Sequence, residues 1–147
     1  MDTKDITLKI IGKQIYDGKE EVTMEFVTEG KFYNREKNCY VVYEESELSG
    51  MEGCKTTLKV GDGNVMMRRF GQQGYRSELF FEEGRRFAST YETPYGPMDV
   101  EVLTESVACD LDRENGSGHI RINYDVSLEG LGEGKNEIRI DINDISQ

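Results

Sequence analysis

Apolar residues recur at every second position along nearly the whole chain. Ile6, Leu8 and Ile10 alternate with Thr7 and Lys9. The same period of two returns in Val22, Met24 and Phe26, in Cys39, Val41 and Tyr43, and in Cys54, Thr56, Leu58 and Val60. Val65 and Met67 continue it, then Tyr75, Ser77, Leu79 and Phe81, then Phe87, Ser89 and Tyr91, then Met98, Val100 and Val102, then Val107, Cys109 and Leu111. The longest case runs Ile120, Ile122, Tyr124, Val126 and Leu128, with His119, Arg121, Asn123, Asp125 and Ser127 between them; Ile138, Ile140 and Ile142 close the series. Successive strand side chains point to opposite faces, so this period predicts half-buried β-strands and leaves little room for helix. The runs are separated by YDGKE, NREKN, GDGN, GQQG, EEGR, TPYGP, RENGSG and LGEGKN. Gly, Asn, Asp and Pro supply the dihedral angles that turns need. Connections of roughly two to six residues fit sequential hairpins.

About ten short strands in up-and-down order, each with one apolar face, have to cover those faces. A sandwich or a barrel does so. The meander favours a closed or nearly closed antiparallel β-barrel, because hairpins place each strand beside its neighbour and closure removes the exposed edges. The 147 residues fit one domain, spanning 1–147, long enough to bury a core without disulfides.

Two adjacent arginines interrupt the pattern. If Arg68 faces water, Arg69 faces the lumen. Keeping inward residues opposite inward residues sets Thr56 against Arg69 across GDGN and Arg69 against Ser77 across GQQG. Ser77 then meets Tyr91 across EEGR, and Phe81 meets Phe87. Two bands result on four adjacent strands. Val60, Val65, Phe81 and Phe87 form an apolar one; Thr56, Arg69, Ser77 and Tyr91 form a polar one. A buried charge needs a partner. Either Arg69 reaches water or a rim carboxylate such as Glu44, Glu45 or Glu92, or it holds the anionic head of a small ligand through its planar fork of donors. Arg68 is expected to pair with Glu78 on the outer face.

Three separated segments carry a family likeness. YEESELSGMEGCKTTLKV, FEEG and YETPYG, in that order, resemble the YwiB-like family of bacterial domains of unknown function. That family is similar to the calycins, lipocalin-like meander barrels of eight strands, so the resemblance implies a barrel. The chain has no Trp, whereas the lipocalin signature uses one near the first strand. The likeness is therefore one of shape, and it supplies no active site.

Charge and chemistry narrow the function. The net charge of −11 repels phosphate backbones and anionic lipid, so neither nucleic acid nor membrane is an expected partner. Outward Arg68, Arg76, Arg86 and Arg121 make at most a broken basic stripe. No apolar run is long enough for a membrane span, and the N-terminus lacks a signal-peptide pattern. Three widely spaced cysteines with no C-x-x-C read as small inward hydrophobes in a cytoplasmic protein. His119, the only histidine, has outward parity. No metal site, cofactor or catalytic residue is expected. Glu44, Glu45, Glu47 and Glu52 read as a solvated rim loop. GDGN reads as a turn, since no helix follows it. The leading expectation is a non-enzymatic binding protein for a small amphipathic anion, using Arg69, Thr56, Ser77, Tyr91, Phe81 and Phe87. The alternative is a solid-core barrel that acts as a structural or protein-interaction module through Tyr40, Phe80 or Tyr95. An enzyme would need an inward acid or base, which only a rim Glu folding inward could supply.

Overall fold

The computed structural model describes residues 3–16, 21–45, 53–71, 76–93, 95–128 and 132–145. Ten strands follow one another: β1 (Lys4–Tyr16), β2 (Val22–Arg35), β3 (Asn38–Glu44), β4 (Cys54–Val60), β5 (Asn64–Gly71), β6 (Arg76–Glu82), β7 (Arg86–Thr93), β8 (Gly96–Leu111), β9 (Gly118–Leu128) and β10 (Gly132–Asp144). Each pairs antiparallel with the next, and β1 pairs with β10, closing the barrel. Ten strands therefore stand where the calycin likeness implied eight. No helix among the described residues is long and apolar enough to cross a membrane.

The alternation acts as expected. β4 buries Cys54, Thr56, Leu58 and Val60 and exposes Lys55 and Lys59. Ile6, Leu8, Phe32, Leu58, Phe81 and Ile120 are among the fully buried side chains that fill the middle of the lumen. Each contributes about 1.5–3 kcal/mol relative to exposure. Outside, Arg68 Nε lies 3.1 Å from Glu78 Oε2, and Lys9 Nζ lies 3.0 Å from Glu25 Oε1.

The structure corrects the pattern in four places. The runs at Met98–Val102 and Val107–Leu111 belong to one strand, β8. A register shift between Thr104 and Ser106 changes the parity, so Val102 meets Val126 and Val107 meets Ile122. An extra residue at a bulge has this effect. Most of LGEGKN is strand rather than turn, since β10 begins at Gly132. Cys109 sits opposite Ile120, yet it lies near the end of β8 and is exposed, unlike buried Cys39 and Cys54. Finally, β6 and β7 form a thin seam, in which the ladder pairs Arg76 with Glu92 alone among the described residues. The offset between the strands is the expected one, but no ladder carries it up to Phe81 and Phe87. The ring of Phe87 packs on Phe80 instead, with centroids 6.1 Å apart, while Phe81 packs on Tyr124 at 4.8 Å.

The barrel's two ends differ. At one end, the turn at residues 112–117 folds over the core. Asp112 Oδ1 accepts hydrogen bonds from the backbone of Glu114 and Asn115, at 2.8 and 3.1 Å. Gly116 has φ +82°, and a Cβ there would come within 2.5 Å of the Phe32 ring. Only glycine accepts both the dihedral angle and the close approach, so this turn seals the end. The opposite end carries Arg69.

Candidate functional site

Arg69 lies on β5, opposite Thr56 on β4 and Ser77 on β6, in the register the sequence predicts. Strand pairing thus builds a polar row across three neighbours, and Thr56 and Ser77 are both buried. What neutralises the guanidinium comes from one residue past the end of β3. Glu45 folds inward, and its backbone N–H donates to the Cys54 carbonyl at 2.9 Å. Its carboxylate Oε1 lies 3.4 Å from Arg69 Nε. The Thr56 hydroxyl donates to the same oxygen at 2.6 Å, and Arg69 Nε donates to Thr56 Oγ1 at 3.4 Å. Buried Tyr43 completes the cluster, hydrogen-bonded to both Glu45 and Arg69.

The two charges are not equally dry. The Glu45 side chain is 1% exposed and that of Arg69 is 22% exposed. Burial works against the guanidinium's charge, but Tyr43, Glu45 and Tyr124 more than offset it and hold the group above its ordinary value. Burial pushes the Tyr43 hydroxyl well above the usual tyrosine range, with Arg69 pulling the other way. Burial also raises the Cys54 thiol, although Arg69 is near enough to oppose this. A thiol so raised stays protonated and is a weak nucleophile.

A cavity of about 360 Å³ opens beside this cluster. Ile10, Phe26, Met67 and Ile138 supply apolar wall. Arg69, Glu45, Tyr43, Tyr124 and Asn136 supply polar wall, with Lys13, Gln14 and Glu137 also on the lining. Asn136 is 7% exposed. Tyr124 and Asn136 are direct neighbours across β9 and β10. They reach the β5 arginine across the lumen, a proximity that strand-by-strand register does not reveal.

Residues 8–140 match a family model described as "Domain of unknown function (DUF1934)". The chain belongs to this family. The crystal structure of ywiB protein from Bacillus subtilis superposes with a TM-score of 0.78 at 26% identity, covering 95% of this chain and 92% of that one. The resemblance carried by the three sequence segments thus holds over nearly the whole fold. No curated protein matches the chain.

Of the six residues expected at a ligand site, this DUF1934 barrel places Arg69 alone on the cavity wall. Thr56 stands behind Arg69 as a partner of Glu45. Ser77 is buried in the same row, and Phe81 is buried against Tyr124. Tyr91 is half-buried, opposite Met98. Phe87 is half-buried, opposite Val102, with its ring against Phe80. Glu45 departs from the expectation of a solvated rim; Glu44 is exposed, and Glu47 and Glu52 lie outside the described residues. Its pairing with Arg69 satisfies one of the two arrangements open to that arginine. A larger groove, about 540 Å³, runs along the outer wall beside Leu103, Asp125 and Lys135. Its Arg86 and Glu101 already bond each other, and it holds no buried charge. His119 is exposed, and among the described residues no three His, Cys, Asp or Glu side chains group as metal ligands.

Proposed function

We propose that this barrel is a non-enzymatic cytoplasmic protein that binds a small amphipathic anion at the Arg69 end of its lumen. The observation that carries the reading is a partly exposed guanidinium on the wall of a cavity whose other side is lined by Ile10, Phe26, Met67 and Ile138. Barrels of this size class hold single small ligands. At roughly 30 Å³ per water-sized unit, about 360 Å³ accommodates on the order of a dozen non-hydrogen atoms. The ligand's apolar part lies along Phe26 and Met67, and its anionic head meets Arg69. Asn136 adds an amide that can donate and accept. A binding role fits the chemistry better than catalysis does. Glu45 is already engaged by Arg69 and Thr56, and the Cys54 thiol is held protonated. The exposed ion pairs on the outer wall suit a surface bathed in water.

Calorimetric titration with decanoate tests the reading, with decanol as the uncharged control. Wild type is expected to prefer decanoate, and Arg69→Met to lose that preference. Arg69→Lys, which keeps the charge but not the fork, is expected to be intermediate. Decanoate binding that is indifferent to Arg69, or no binding of either probe, refutes it.

The second reading, a protein-interaction barrel, draws on Tyr95, which is 95% exposed. Val27 and Phe70 are exposed too, but on β2 and β5. Tyr40 stacks on Tyr33 at 4.8 Å and Phe80 packs on Phe87, so neither ring is unoccupied. Scattered apolar exposure of this kind is ordinary for a water-facing surface.

A further inference from the structure

We infer that Glu45 occupies the anion position of this site in advance, and that a ligand carboxylate binds Arg69 by replacing it. The inference rests on the binding reading and adds a rule for how binding proceeds.

Charge favours the exchange. Arg69 and Glu45 together are neutral, and the Glu45 side chain is 1% exposed. A second carboxylate added beside them would set two negative charges on one guanidinium, with the exposed Lys13 as the other cation on the cavity wall, which is unfavourable. An anionic head therefore reaches the guanidinium when the resident carboxylate leaves. A neutral head has no such requirement.

Position makes the exchange feasible. Glu45 is not held within a strand ladder, since β3 ends at Glu44. Its side chain is held by the Arg69 ion pair and by the Thr56 and Tyr43 hydroxyls. Its backbone N–H bonds the Cys54 carbonyl on β4. Every side-chain contact in that set is one an incoming carboxylate can make in its place. Thr56, Tyr43 and Arg69 all belong to strands, so the receiving groups stay fixed while the carboxylate changes.

A second feature points to an incoming head group. Asn136, a carboxamide at 7% exposure, lines the same cavity as Arg69. A ligand carboxylate has two oxygens, and one that reaches Arg69 and Asn136 together would bond both.

The test compares decanoate and decanol on wild type and Glu45→Gln. The glutamine keeps the shape but removes the competing charge, so decanoate affinity is expected to rise at least tenfold more than decanol affinity. Amide hydrogen exchange on wild type gives an independent readout that does not depend on how well the variant folds. Saturating decanoate is expected to speed exchange at the Glu45 amide at least tenfold, and saturating decanol to leave it unchanged. Decanoate affinity that is no tighter in Glu45→Gln, or Glu45 protection unmoved by bound decanoate, overturns the exchange. If those results come with Arg69-dependent decanoate binding, the binding reading survives and only the exchange falls. If wild type binds neither probe, both fall together.

Discussion

Replacing Arg69 with methionine should cost far more than the loss of one ion pair suggests. The methionine fills much of the aliphatic volume, so the main effect is on Glu45. Its carboxylate would remain 1% exposed with no counter-ion. Removing one partner of a buried pair typically costs about 3–5 kcal/mol. With Arg69 gone, the Thr56 hydroxyl would still donate to Glu45 Oε1, which places the expected loss near the lower limit, about 3 kcal/mol. For a chain of this length that lowers Tm by roughly 6–12 °C. Urea unfolding of wild type, Arg69→Met, Glu45→Gln and the double variant closes a thermodynamic cycle. The double variant, which buries no charge in this cluster, should recover part of the loss and show a coupling of about 1–3 kcal/mol. A single-variant loss below about 1 kcal/mol, or effects that add within about 0.5 kcal/mol, would show that the pair is effectively solvated. A dry Glu45 carboxylate that depends on Arg69 would then be refuted.

Three further outcomes follow from the same structure. Arg68→Ala, one residue away but on the outer wall, should cost less than about 1 kcal/mol in the same assay, because its pair with Glu78 is exposed. Gly116→Ala should be worse than Gly63→Ala by about 2 kcal/mol or more: both have positive φ, but only at Gly116 would the new Cβ strike a ring. Matched thermal melts of the two variants check this, and equal losses would mean that the turn does not press on Phe32. Backbone amides of Ser77–Glu82 that face β7 should exchange faster than those in the β1–β10 ladder, since the seam pairs Arg76 with Glu92 alone among the described residues; equal protection by hydrogen-exchange NMR would refute the seam.

The barrel was legible because its sequence signal is repeated in nearly every strand. A period of two, short turns and apolar partners at matching positions determine both topology and most of the register. Arg69 with Thr56 and Ser77 follows from that logic. The failures are places where alternation stops governing direction. Phe87 shares a face with its β8 partner Val102, but the β6 ladder on its other side ends near Arg76 and Glu92, and its ring meets Phe80. Val107 has the wrong parity until the irregularity between Thr104 and Ser106 is counted. Glu45 lies past the end of β3, where no pleat dictates its orientation, and its acidic neighbours suggested water. Tyr124 was recognisable as inward-facing. Its nearness to Arg69 was not, because distances across a lumen depend on strand tilt and stagger rather than on pairing between neighbours.

The pairing of β1 with β10 has a consequence for biogenesis. Eleven residue pairs, from Ile6 with Asp144 to Tyr16 with Gly134, join strands at opposite ends of the sequence. During synthesis the first strand has only β2 beside it until the last one leaves the ribosome. Nascent intermediates therefore carry two raw flanks, one on β1 and one on the newest strand, each able to recruit a stranger. Such a chain becomes safe from its neighbours only once β10 has emerged, and a stop shortly before that strand would be more hazardous than an early one.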